Sequence, residues 1–259
     1  MTSAVLRAAL ALALFASIGS VGVAKPPFDF ETTPGRLPKD VVPLDYQVRI
    51  APDAGTKTLT GSETIALEMR KPVATIAFNS LHEQLTGVQL DGAPVASVQS
   101  DDAKQMTTVT LASPAPAGRH TLAFAYTGRL ETAPQGLFVQ PYRAGATIGT
   151  MLSTQFEATD ARRMFPCWDE PAFRATFQLT VTVPQAWSAV SNMPVATRTP
   201  NGALATTTFE RTPKMPTYLV EFSAGDLSRI HASAGGRDFG VWAVHGEQEL
   251  GAQALANAQ

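Results

Sequence analysis

TFQLTVTV, residues 176–183, alternates without interruption: Phe177, Leu179, Val181 and Val183 fall on one side of an extended chain, Thr176, Gln178, Thr180 and Thr182 on the other. That period of two describes a half-buried strand. Shorter runs of the same kind precede it, at YQVRI 46–50, TIALEM 64–69, TIAF 75–78, MTTVTL 106–111 and TLAFAY 121–126, and DFGVWAV 238–244 follows it. Turn signals separate them: DG at 91–92, PAPAG at 114–118, TG at 127–128 and NG at 201–202. A helical pattern occurs only in QELGAQALANAQ, 248–259, where Leu250 and Leu255 sit among Ala and Gln.

These patterns predict an all-β fold, a large antiparallel saddle or sandwich over residues 37–235. The Pro-rich stretch before it, 25–36, reads as an extended leader. The closing strand and helix, 236–259, carry no stop signal, which predicts the opening of a second, truncated domain.

The chain has 259 residues, 44% apolar and 16% charged, enough for a sizeable core. Its formal charge is -2 and no basic block is present, so a nucleic-acid partner has no electrostatic footprint. MTSAVLRAALALALFASIGSVGVA, 1–24, has the layout of a signal peptide: Arg7, an apolar run from Ala8 to Ile18, and small residues at Gly22 and Ala24. The run falls short of the roughly 20 residues a spanning helix needs. Cleavage near Ala24 and a secreted or periplasmic protein without a stable membrane span are the expectation. Cys167 has no second cysteine to pair with, so no internal disulfide or thiolate metal site is expected, and it reads as a buried, inert thiol.

A zinc-binding HExxH helix needs two histidines four residues apart with a Glu between them. Positions four after His82, His120, His231 and His245 are Thr86, Phe124, Gly235 and Glu249. None completes the motif. His82 and Glu83 begin it, but their segment reads as a strand-to-turn connection, and His245 with Glu249 reads as a solvated helix start. No GxSxG elbow, GxxxxGK[ST] loop or dinucleotide glycine pattern occurs either.

The densest chemistry lies in TQFEATDARRMFPCWDEPAF, 154–173. If the chain is extended from Ser153 to Glu157, Gln155 and Glu157 share one side and Thr154 and Phe156 the other, with Phe156 toward the core. An amide beside a carboxylate suits an α-ammonium group. Alternatively, Glu157 pairs with Arg162 or Arg163 and pins the loop.

This stretch, with SNMP at 191–194, TPKMPTYLVEFSAGDL at 212–227, RLPKDVVPLDY at 36–46, LTGSETI at 59–65 and YTGRL at 126–130, resembles the N-terminal β domain of aminopeptidase N-type zinc metallopeptidases. The resemblance implies a β saddle abutting a thermolysin-like catalytic domain. It assigns Gln155 to the pocket for the first substrate side chain and Glu157 to the free N-terminus of a peptide substrate. PCWDEP, 166–171, matches a family motif usually written with Phe where Trp168 stands. It is read as a structural loop, with Cys167 and Trp168 packed, Asp169 and Glu170 serving loop groups, Pro171 fixing the exit and Arg162 as a brace. The family's zinc-binding HExxH, downstream Glu ligand and catalytic Tyr lie in a domain this sequence does not contain. The resemblance therefore implies zinc in the full-length enzyme, no catalytic residue, metal or cofactor held by this chain, a missing catalytic domain in cis, and no activity alone. The competing function is a stand-alone secreted β module that binds peptides or proteins without turnover.

Overall fold

The computed structural model describes residues 28–258. The signal-like segment and its cleavage point lie outside the described residues. In chain order the strands are β1 (Val41–Asp53), β2 (Thr58–Met69), β3 (Val73–Asn79), β4 (Gln84–Leu90), β5 (Ala93–Pro94), β6 (Ser97–Asp101), β7 (Met106–Ala115), β8 (Gly118–Arg129) and β9 (Gly136–Ala144). They continue with β10 (Thr147–Gln155), β11 (Thr176–Pro184), β12 (Ser188–Ser191), β13 (Val195–Asn201), β14 (Leu204–Phe209), β15 (Phe222–Gly225), β16 (Leu227–Ala234) and β17 (Arg237–Val244). The fold is all-β, as the alternation predicts, and every quoted run lies within a strand.

An eight-stranded sheet has the order β13-β14-β11-β1-β2-β8-β4-β5, a four-stranded sheet β12-β15-β10-β9, and a three-stranded sheet β3-β7-β6. Most neighbours are antiparallel. The TFQLTVTV strand, β11, instead pairs in parallel with β1, in register from Asp45 opposite Thr176 to Ile50 opposite Val181. Its apolar side is buried as the alternation requires. Period two fixes which side faces inward but is blind to strand direction, so the parallel pair was not legible.

Asp91 and Gly92 both have positive φ, 53° and 80°, and join β4 to β5 as a two-residue turn. TG at 127–128 behaves differently: it lies inside β8, with Thr127 opposite Thr60 on β2 and Gln84 on β4. Strands hydrogen-bonded on both flanks outweigh the local turn preference there.

The largest side chains of the core are aromatic. Tyr46 stacks on Phe177 at 4.8 Å, Phe165 meets both edge-on at 6.2 Å, and Phe78 stacks on Phe124 at 5.9 Å. Offset and edge-on pairs of this kind add about 0.5–1.5 kcal/mol each beyond area burial. The leader is strapped down at Phe30, whose ring meets Phe173 at 5.1 Å and lies beneath Lys39 and Arg70.

At the far end β16 and β17 form a two-stranded sheet of their own. Gly235 and Gly236, both with positive φ, turn the hairpin between them. The expected terminal helix begins as a 3-10 turn, Gln248–Gly251, and continues as α1 (Ala252–Ala258). Leu255 is buried, whereas Leu250 is 80% exposed.

Candidate functional site

β10 is clamped on both edges. It pairs with β9 throughout, ending at Gln155 opposite Gly136, and with β15 through Leu152 and Ser153. The Phe222 N–H donates to Thr154 Oγ1 at 3.0 Å. Phe156 is buried against Phe165, with ring centroids 6.1 Å apart. The strand end cannot roll without tearing this ring from the core.

Gln155 and Glu157 are therefore left on the outer side, and both are exposed. The Glu157 N–H donates to Gln155 Oε1 at 3.0 Å, so the amide side chain is folded over the backbone that carries the carboxylate. The Glu157–Ala158 peptide bond is cis.

The two arginines that competed for Glu157 have other partners. Arg163 Nε donates to Asp160 at 2.7 Å, and its Nη1 donates to Glu131 at 3.2 Å. Arg162 Nε donates to Asp169 Oδ2 at 2.9 Å, its Nη2 to the Asp169 carbonyl at 2.9 Å, and its Nη1 to Gln105 at 3.2 Å. Among the described residues Glu157 forms no ion pair. Arg163 also presses on the strand beneath the site: Gly136 has φ +64°, and a Cβ there would lie 2.6 Å from that of Arg163. Only glycine allows this approach in that conformation.

The loop behind the strand end is tied to four distant segments. Cys167 exchanges backbone hydrogen bonds with Asn79 at the end of β3, at 2.8 and 2.9 Å. The Trp168 N–H donates to the Tyr46 hydroxyl at 3.1 Å, and its ring lies 5.5 Å from Phe78. Asp169, 1% exposed, accepts from Arg162 and, at 2.6 Å, from the Thr217 hydroxyl, while its N–H donates to Asn79 Oδ1. Glu170 Oε1 accepts from the N–H groups of Arg36 and Leu37 at 2.6 and 3.0 Å and so holds the leader. Pro171 is exposed. Burial pushes the Cys167 thiol well above its ordinary value, and nearby Asp169 and Glu63 push the same way, which leaves a poor nucleophile.

A cleft of about 380 Å³ lies beside this loop, lined by Arg36, Gln105, Thr159, Arg162 and Glu170 among others. Neither Gln155 nor Glu157 lines it.

The histidines are dispersed. His120 contacts Asp91 at 2.7 Å, His231 contacts Asp238 at 3.2 Å, His245 contacts Ser228 at 2.6 Å, and His82 lies 3.8 Å from Glu131. Among the described residues no three His, Cys, Asp or Glu side chains are grouped to hold a metal ion. The donor set of the described residues does not fit a catalytic zinc. No described helix is long and apolar enough to cross a membrane.

Residues 42–219, which hold the clamped strand end and its loop, match the Peptidase M1 N-terminal domain. The chain belongs to the M1 peptidase family. It is 42% identical to aminopeptidase N of Acetobacter pasteurianus over 88% of its own length and 65% of that protein's. It is 36% identical to aminopeptidase M1-B of Oryza sativa subsp. japonica, and 31% identical to the puromycin-sensitive aminopeptidase of Caenorhabditis elegans. These matches cover 76% and 85% of the chain, but only 23% and 24% of the relatives. This M1 chain thus spans less than two thirds of the bacterial relative and about a quarter of the plant and nematode ones.

Sequence reasoning missed the supports of the site: Glu131, Asp160, Gln105, Asn79 and Thr217. Only the Asp160–Arg163 spacing was visible locally, three residues apart. The others reach the loop from 32 or more residues away.

Proposed function

We propose that this chain is the substrate-anchoring N-terminal part of a secreted or periplasmic zinc aminopeptidase, with Gln155 facing the first side chain of a peptide and Glu157 holding its free α-ammonium group. The observation that carries the reading is an exposed Glu157 with no ion-pair partner among the described residues, at the end of a strand fixed by Phe156 and Thr154. A carboxylate held in this way offers a charge-assisted hydrogen bond worth about 1.5–3 kcal/mol to an ammonium ion, and none to a blocked N-terminus. Peptide hydrolysis, the zinc and the group that activates water belong, on this reading, to a catalytic domain joined in cis. The chain alone is inactive.

The experiment compares the protein translated from the reading frame continued past Gln259 with its Glu157→Ala variant, on aminoacyl and N-acetylated substrates. The expected result is a raised KM on free N-termini, with no gain on blocked ones. Unchanged kinetics on aminoacyl substrates sink the role of Glu157. A stop codon directly after Gln259, with amine-dependent peptide binding and no hydrolysis after zinc addition, favours the stand-alone binding module instead.

A further inference from the structure

Two carboxyl groups lie inside the β core with no partner. Glu63 is 2% exposed and Glu83 4% exposed, and among the described residues none of their four carboxyl oxygens has a hydrogen-bond partner. Neither forms a salt bridge there. Glu63 points inward because it shares the β2 face of Leu59, Ile65 and Leu67, opposite Phe124 on β8. Glu83 enters from the link between β3 and β4.

Two donors in the same region are equally unsatisfied: the Tyr126 hydroxyl and the Trp168 indole N–H, on side chains 2% and 0% exposed. Their rings belong to one continuous wall, Trp168 to Phe78 at 5.5 Å, Phe78 to Phe124 at 5.9 Å and Phe124 to Tyr126 at 6.3 Å. The Tyr126 ring lies across Gly61, two residues from Glu63 on the same face of β2. Its hydroxyl is raised by burial and also by the charge of both glutamates.

We propose that internal water completes the hydrogen bonding of Glu63, Glu83, Tyr126 and Trp168. A buried polar group without a partner costs about 1–3 kcal/mol, and internal waters making two to four bonds are the usual remedy. A bound cation suits two carboxylates but not an indole N–H, which can only donate.

The carboxyls are then in their acid form at neutral pH, since buried ions need a counter-charge. Burial raises both, and Glu63 and Asp102 raise Glu83 further. The titratable groups around them supply no counter-charge. Tyr46 and Cys167 are themselves raised, Arg162 is engaged by Asp169 and Gln105, and His82, next to Glu83 in the chain, lies 3.8 Å from Glu131. Each carboxyl binds its proton more tightly folded than unfolded. Its stabilisation is complete below the unfolded value of about 4.3 and is lost as pH rises from there toward the folded value.

Three measurements on the mature chain test this. Oxygen-17 relaxation dispersion of the wild type should report long-lived internal water, and infrared spectra at neutral pH should show protonated carboxyl absorption that weakens in Glu63→Gln and in Glu83→Gln. In denaturant titrations above about pH 5, the folding constant should fall about tenfold per pH unit for each such carboxyl, a dependence each variant reduces by one proton. The proposal is overturned if the wild type shows no long-lived water. Wild-type spectra with both carboxyls ionised at neutral pH overturn it too, as does stability lost when sodium chloride is replaced by choline chloride, which would mark a cation site. The wild-type arms decide the matter even if a variant fails to fold.

Discussion

Replacing Asp169 by Ala tests the loop that holds the candidate site. The substitution removes the acceptor of the Arg162 Nε bond at 2.9 Å and of the Thr217 hydroxyl bond at 2.6 Å. Side-chain exposures of 10% for Arg162 and 1% for Asp169 make this a buried pair. Breaking such a pair from one side leaves an uncompensated charge and typically costs about 3–5 kcal/mol. Arg162 keeps its bonds to the Asp169 carbonyl and to Gln105, which offset part of the loss. A value near the lower bound, about 3 kcal/mol, is therefore expected. Urea titrations of wild type, Asp169→Ala, Arg162→Met and the double variant supply the measurement. The double variant should lose less than the sum of the singles, because each single strands the partner that the other removes. Strict additivity, or a loss below about 1 kcal/mol for Asp169→Ala, refutes a buried, coupled brace.

Gly136→Ala combines a left-handed residue with a clash on Arg163; it should cost at least about 1–2 kcal/mol and loosen the β9–β10 end, which hydrogen exchange at Gln155 would register. Phe156→Ala empties a buried ring site and should cost about 3–5 kcal/mol in denaturant titrations. Glu157→Ala should leave stability within about 0.5 kcal/mol, because its side chain is exposed and forms no ion pair among the described residues, while abolishing discrimination between free and acetylated peptide N-termini in the full-length protein. A large stability loss there would mean that the carboxylate braces the loop after all.

Much of the fold was legible because β strands advertise themselves by alternation. Phe177, Leu179, Val181 and Val183 define a buried face whatever lies beside it, and Phe156 could be placed inward by parity alone. Strand neighbours were not legible. Nothing in YQVRI or TFQLTVTV states that the two run side by side in the same direction, because pairing is decided by packing between segments distant in the chain. The candidate site divides in the same way. Gln155 and Glu157 were visible as an exposed pair, yet the freedom of Glu157 depends on Asp160, Glu131 and Asp169 occupying both arginines, which no local spacing specifies. Glu63 was hidden for a different reason. Reading the β2 strand from Thr64 omits it, whereas extending the alternation back to Leu59 places a carboxyl on an otherwise apolar face.

The parallel pairing of β1 with β11 also governs the order in which the molecule can assemble. Asp45 and Thr176 are separated by 131 residues, so the flank of β1 that β11 will occupy stays open until most of the domain has left the ribosome. The β1–β2 hairpin can close early, since its partners are near in sequence. Its outer edge then waits as a row of unpaired amides and carbonyls, the kind of surface that recruits strands from other chains. Pausing translation before residue 176 should therefore yield aggregation-prone nascent chains, and release beyond it chains that close on themselves.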